Sequence, residues 1–354
     1  MALPNPLSVP RLVQQIWWVA DPTGYMENAA HHSPDMFEAK VINSDESLIY
    51  VNEPRAIQEI LTNDRRQFAA SGELNMILSP VLGDASVLMI DGDRHKQRRQ
   101  LLMPPFHGER MRAYGQLIRD LATEVFSQFP VGQPFSARQA MQEISLQVIL
   151  EAVFGLREGA RLQQLKQLIV SMAEMFRSPL SSSPLFFPIL QQAWGTWSPW
   201  GRFLGDRAKI DQLLYAEIAE RRAKPGEDRI DILSMLMSAR DVNGQPMTDQ
   251  ELRDELMTLL FAGHETTATA MSWAIYWLHH LPHVREKLLQ ELDTIGDNPD
   301  ATTLFRLPYL TAVCNETLRI HPVVMLNFPR LVKQPVQLLG RTLKPGEIVV
   351  GCIY

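Results

Sequence analysis

Apolar residues recur at helical spacing over most of the chain. Between Arg94 and about Leu236, the positions Ile118, Leu121, Val125, Ile144, Leu146, Ile149 and Leu150 predict mainly helix. Proline, serine and aromatic residues interrupt this pattern from Ser178 to Pro199, which predicts a long surface loop. Pro54 opens a shorter helix that runs to about Asn63. The best-marked helix starts at Thr248, with Glu251 at capping-box spacing and Leu252, Leu256, Leu259 and Leu260 behind it. Its pattern persists to about His280, before Pro282, which is about 50 Å of helix at 1.5 Å per residue. Apolar residues nearly all round predict that it crosses the centre of a large domain. A further helix begins at Pro308 and stops before Pro322. Strand-like runs are Phe37–Ile42 and Leu48–Val51, joined by the hairpin signal Asn43-Ser44-Asp45-Glu46. Leu326–Val332, Val336–Leu339 and Glu347–Tyr354 follow late in the chain. No repeat or composition shift divides it. The prediction is mainly α: a single large helical domain, residues 1–354, with a small β-sheet.

Charge and composition narrow the classes. Lys plus Arg is 34 against 40 for Asp plus Glu, a net charge of -6, which excludes a general nucleic-acid binder. Hydrophobic residues at 45% support a folded core rather than disorder. Only Cys314 and Cys352 are present, so a disulfide framework and a four-cysteine zinc site are excluded and a reducing cytoplasm fits. No apolar run reaches the roughly 18 residues of a membrane span. Pro4, Pro6 and Pro10 break the start, which does not read as a secretory signal. The patch Ile16-Trp17-Trp18-Val19 is expected to pack on the body, with contact to a membrane surface as the alternative.

Three windows carry candidate chemistry. In Ala262-Gly263-His264-Glu265-Thr266-Thr267, a glycine and paired threonines sit inside a helix pattern that disfavours both. The Thr266 hydroxyl can reach the Ala262 carbonyl and open a bulge that leaves room for a flat or small ligand. Glu265 beside Thr266 forms an acid–alcohol pair suited to proton relay. A kink at a packing contact is the plain alternative. His264-Glu265 does not open a zinc-protease motif, because position 268 is Ala. In the second window, Glu316 and Arg319 stand at i, i+3, a helix-surface pair that by itself is structural or solvated and that its neighbours Val313, Leu318 and Ile320 are expected to bury and hydrogen-bond. In the third, His95 and Arg99 share one face of a helix and can grip an anion together, or belong to a solvated basic face.

Taken in order, His-x-x-x-Arg, Ala-Gly-x-Glu-Thr-Thr and Glu-x-x-Arg resemble the haem-thiolate monooxygenases of the cytochrome P-450 superfamily over nearly the whole chain. Asp231-Ile232-Leu233-Ser234, Asn315 to Pro322, and Arg330 eleven residues beyond Arg319 extend the resemblance. It implies haem b as cofactor, with His95, Arg99 and Arg330 on the propionates. Glu265 and Thr266 would deliver protons, Ala262 and Gly263 would give dioxygen and substrate room, and Glu316 and Arg319 would be structural. The resemblance further implies a lipophilic substrate of the fatty-acid or terpenoid class, with O2 and two electrons from a ferredoxin or flavoprotein. The positive charges Arg94, Lys96, Arg98, Arg110 and Arg112 are the expected docking face for an acidic ferredoxin. Phe68, Leu74, Met76 and Ile77 resemble a substrate-recognition loop, and Phe176, Phe186, Phe187, Trp194, Trp197 and Trp200 a lid, with ordinary core packing as the alternative for the aromatics. The family's Phe-x-x-Gly-x-Arg-x-Cys loop has no counterpart, and neither Cys314 nor Cys352 matches the axial cysteine, so both are expected to be buried structural thiols. The sequence therefore reads as C-terminally incomplete before that loop. A non-catalytic helical lipid-binding or interaction module is the rival reading. A cytoplasmic location is expected, with peripheral membrane contact left open.

Overall fold

A computed structural model describes all residues except 1–7, 42–46, 64–65, 107–108, 157, 174, 176–177, 193–194, 196, 225–228, 230, 297–298 and 354. In chain order the elements are α1 (Arg11–Ala20), α2 (Pro22–His32), β1 (Met36–Ala39), β2 (Leu48–Val51), α3 (Pro54–Thr62), β3 (Phe68–Ala70), α4 (Ser79–Leu82), α5 (Gly92–Leu102) and α6 (Glu109–Ser127). They continue with α7 (Ala137–Phe154), α8 (Ala160–Ala173), α9 (Pro179–Phe186), α10 (Pro199–Ala223), α11 (Ile232–Ser238), α12 (Asp249–Gly263), α13 (Glu265–His280), α14 (Pro282–Asp293), α15 (Ala301–Leu304) and α16 (Pro308–Ile320). The chain closes with β4 (Arg330–Val332), β5 (Val336–Leu338), β6 (Arg341–Leu343) and β7 (Ile348–Gly351). Helix dominates, as the periodicity predicts. Two compact units form: Met1–Gly92 with Gln167–Leu213 and Val324–Tyr354, and Asp93–Lys166 with Leu214–Val323.

The first unit holds the sheet, in the order β1-β2-β7-β4-β3, with β2 and β7 parallel and the other neighbours antiparallel. Its central strands are covered on both faces, so they read as unbroken apolar runs. Leu48 and Tyr50 of β2 join Ile348 and Val350 of β7 against Tyr25 and Trp18, while Ile49, Val51 and Val349 pack with Ile60 and Phe68. The hairpin pairing of β1 with β2 is as expected, and its turn, 43–46, lies outside the described residues. Phe68 corrects the recognition-loop expectation: it is fully buried in β3. A three-residue strand is too short to announce itself by alternation, and β6 escapes for the same reason. The predicted loop from Ser178 contains α9 instead. Ser178 caps it, Pro179 occupies a first-turn position, and the chain continues past Pro184. Phe176 and Trp194 lie outside the described residues; Trp200 is buried on Phe203, whereas Trp197 is exposed.

The second unit is helical. α7 packs against α6, α12 and α13, with Ile144 and Met141 meeting Val125 and Ala268. The Thr248 capping box forms as predicted, Glu251 N–H on Thr248 Oγ1 (3.2 Å) and Thr248 N–H on Glu251 Oε2 (2.9 Å). α12 is not apolar all round: the consecutive charges Arg253, Asp254 and Glu255 are buried among its leucines. Cys314 corrects another expectation, being exposed on α16, while Cys352 is buried.

Candidate active site

The long helix predicted from Thr248 to His280 is two helices, broken at His264. Three side chains account for the break. The Thr266 hydroxyl donates to the Ala262 carbonyl, one turn back, as its spacing predicts. Ser145 of α7 donates from its hydroxyl toward the carbonyls of Gly263 (3.1 Å) and His264 (2.9 Å). His264 itself is buried, and desolvation holds its imidazole below the ordinary histidine value against the pull of Glu265 and Glu143. It is therefore neutral near pH 7.

Glu265 and Thr266 are adjacent, yet their side chains take separate partners. The Glu265 carboxylate accepts from Gln142 Nε2 at 2.7 Å and pairs with Arg138 at 3.2 Å, both on α7. Arg138, Gln142, Ser145 and Ile149 form one stripe at i, i+4, i+7 and i+11 along α7, facing the junction of α12 and α13. Arg138, Gln142 and Ser145, set beside the buried Met141 and Ile144, are the signal that sequence reading passed over.

Gly263 packs against α7. A Cβ there would approach Ile149 Cδ1 to 2.7 Å, so the missing side chain is filled by α7. Gly263→Ala should cost at most about 1 kcal/mol net, because overpacking against the movable end of Ile149 is partly offset by alanine's better helix propensity. Chemical denaturation should show that loss, and Ile149→Val in the same chain should recover much of it. Ala262 differs, since it is exposed, with the half-buried Thr266 one turn on: a surface of small side chains.

On α5, His95 is half-buried and Arg99 exposed. Arg330 belongs to the first unit, where its Nη1 donates to the Phe328 carbonyl at 2.9 Å. Glu316 and Arg319 make the predicted pair, two bonds of 2.7 Å, but it is 55% and 70% exposed rather than buried. Of residues 308–320, α16 fully buries only Thr317, so its apolar neighbours Leu318 and Ile320 are exposed as well and enclose nothing. Arg98 corrects the docking-face expectation. It is buried, and it donates to Glu251 and, at 2.8 Å, to Glu255 of α12. Arg94, Lys96 and Arg112 remain exposed, and the Arg110 side chain lies outside the described residues.

Residues 4–354 match the cytochrome P-450 family. The chain belongs to that family. Cytochrome P-450 135B1 of Mycobacterium bovis is 37% identical over 307 residues, which cover 86% of this chain and 62% of the relative. The chain thus spans less than two thirds of that relative's length. Cytochrome P-450 135A1 of Mycobacterium tuberculosis is 32% identical over 348 residues, 98% of this chain and 74% of the relative. Among solved structures, a retinoic-acid-bound cyanobacterial CYP120A1 superposes with a TM-score of 0.80 at 22% identity, covering 96% of this chain and 74% of that one. The cytochrome P-450DA haem domain gives 0.77 at 21%, with 96% and 74% covered. These two show the fold.

The family implies haem, and the residues of the second unit suit parts of that group. The exposed Ala262 and the bound Thr266 hydroxyl make a low surface beside the helix break, compatible with a flat ring. Arg99 and His95 carry the donor chemistry that carboxylates require. Cys314 lies exposed on α16 and Cys352 is buried. Burial pushes the Cys352 thiol up to about 12.

Proposed function

We propose that this cytochrome P-450 chain belongs to a haem monooxygenase that inserts one oxygen atom into a C–H bond of a lipophilic substrate and releases the other as water. The observation that carries the reading is the helix break at His264, with the Thr266 hydroxyl held on the Ala262 carbonyl at an exposed surface of small residues. Bound haem supplies the iron at which dioxygen is activated. The chain's own part is to hold a proton at Thr266 Oγ1 and a carboxylate at Glu265, whose clamp on Gln142 and Arg138 fixes it at the junction. His95, Arg99 and Arg330 serve the propionates, and neither Cys314 nor Cys352 is assigned to the metal. Glu316 and Arg319 are structural, holding each other on α16. We assign the substrate to the fatty-acid or terpenoid class. The half-buried Leu74 and Ile77 and the more open Met76 support this, as does the retinoic acid, itself a terpenoid acid, bound by the cyanobacterial neighbour. Electrons come from a ferredoxin or flavoprotein, and a cytoplasmic location is consistent with two unpaired cysteines.

In haem-loaded protein, Thr266→Ala should keep haem and substrate binding while product formation falls on the order of 10²-fold, as expected when a general acid is lost. Reducing equivalents should then appear as peroxide. Product yield per electron equal to the parent's would remove Thr266 from proton delivery.

A further inference from the structure

We propose that His264 is a positioning residue for proton delivery, its Nε2 accepting from the Glu265 carboxyl whenever that carboxyl carries a proton. The inference rests on the proton-relay reading of Glu265 and Thr266 given above. It starts from a buried ring without hydrogen bonds. His264 is 2% exposed, and neither ring nitrogen is hydrogen-bonded among the described residues. Its backbone, by contrast, is fully used. The N–H donates to the Leu260 carbonyl at 3.3 Å, and the carbonyl accepts from the Ala268 N–H at 3.1 Å and the Ser145 hydroxyl at 2.9 Å. A side chain that only filled space there would be apolar, since buried nitrogens left unpaired cost stability. A partner stands close by. Glu265 Oε1 lies 3.5 Å from Nε2, just beyond the roughly 2.7–3.2 Å of a bond.

The chemistry of the carboxyl says when the two meet. Gln142 and Arg138 present N–H donors to Glu265, at 2.7 and 3.2 Å, which suits an ionised carboxylate. A protonated carboxyl has an O–H to give, and in that orientation neither group can take it. The neutral imidazole can, because one of its ring nitrogens is always an acceptor. The Glu265 side chain is one-third exposed and can load a proton from solvent, whereas the ring is sealed. The pair then holds one proton between Oε1 and Nε2, and no other bond changes. The charged groups that face the ring are Glu265 of α13 and, from α7, Arg138 and Glu143, the last tied to Lys166 at 2.8 Å. Desolvation opposes an imidazolium there, the two carboxylates favour it and Arg138 opposes it.

The first measurement needs no haem. In the 354-residue chain, nitrogen NMR of the histidine rings should show His264, assigned by its loss in His264→Gln, with a protonation midpoint below the ordinary histidine value of about 6.5. Glu265→Gln should move that midpoint to lower pH, and Arg138→Gln should move it to higher pH. In haem-loaded protein, His264→Leu should lower product yield per electron on the order of tenfold, less than loss of the general acid itself. His264→Gln should restore much of that yield, because its amide oxygen can accept the same proton. A midpoint indifferent to both substitutions would overturn the inference, as would an imidazolium at pH 7. Thr266→Ala, measured alongside, separates the two readings. Loss of yield there with none in His264→Leu overturns the role of His264 alone and gives it to a turned Gln142 amide. No loss in either variant overturns the relay reading, and the inference with it.

Discussion

Replacing Arg98 with methionine should lower stability by about 3–5 kcal/mol, the usual result of removing one partner from a buried ion pair. Arg98 ties α5 to α12 by donating to Glu251 and to the fully buried Glu255. Without it, the fully buried Glu255 carboxyl loses that guanidinium. Urea unfolding of Arg98→Met measures the loss, and adding Glu255→Gln should return part of it, because the remaining partner no longer carries charge. The acid limb carries a second signature. Burial opposes ionisation of Glu251, yet the Thr248 N–H and the Arg98 guanidinium hold its carboxyl below the ordinary value. A depressed carboxyl stabilises the fold above its unfolded pKa, and that contribution is lost as pH falls through the folded one. Arg98→Met should therefore flatten stability against pH on the acid side of the ordinary glutamate value, about 4.3. If the variant unfolds like the parent at every pH, the pair has no structural role and the docking reading of Arg98 returns.

Arg221→Met should be about as damaging, again about 3–5 kcal/mol. Its guanidinium, 6% exposed, donates to Glu217 at 2.7 Å, to Asp231 at 2.5 Å, to the Ser234 hydroxyl at 2.8 Å and to the Phe154 carbonyl. One side chain thus joins α10, the N-terminus of α11 and the end of α7. Asp231 also caps α11 by accepting the Ser234 N–H at 2.9 Å, so losing Arg221 unsettles a helix start as well as two buried carboxylates. Lysine should rescue poorly, because a single ammonium cannot meet acceptors lying in several directions in the guanidinium plane. A double-mutant cycle with Asp231→Asn would measure the coupling; additive losses would show that Asp231 and Arg221 act separately.

Local order explains what was legible from residues alone. The Thr248–Glu251 box, the proline starts at Pro54 and Pro308, the β1–β2 pairing and the Thr266-to-Ala262 bond all join residues within about sixteen positions. The Glu316–Arg319 bond was likewise readable, although its exposure was not, since exposure depends on what other segments cover α16. The family resemblance rested on motifs of this local kind.

Sequence by itself therefore determined the helical class, the main helix starts, the family and the weak point near Gly263. Tertiary structure decided what those residues do, because each outcome depended on a partner far along the chain. The break at His264 needed Ser145, 119 positions away, to take its carbonyl. Glu265 was directed to α7 by Gln142, and the space beside Gly263 was taken by Ile149. Arg98 passed for surface charge until Glu255, 157 positions on, drew it into the core. Helical periodicity reports which positions share a face. It cannot report which distant face arrives there, and a buried charge is stable only when that arrival supplies its counter-charge.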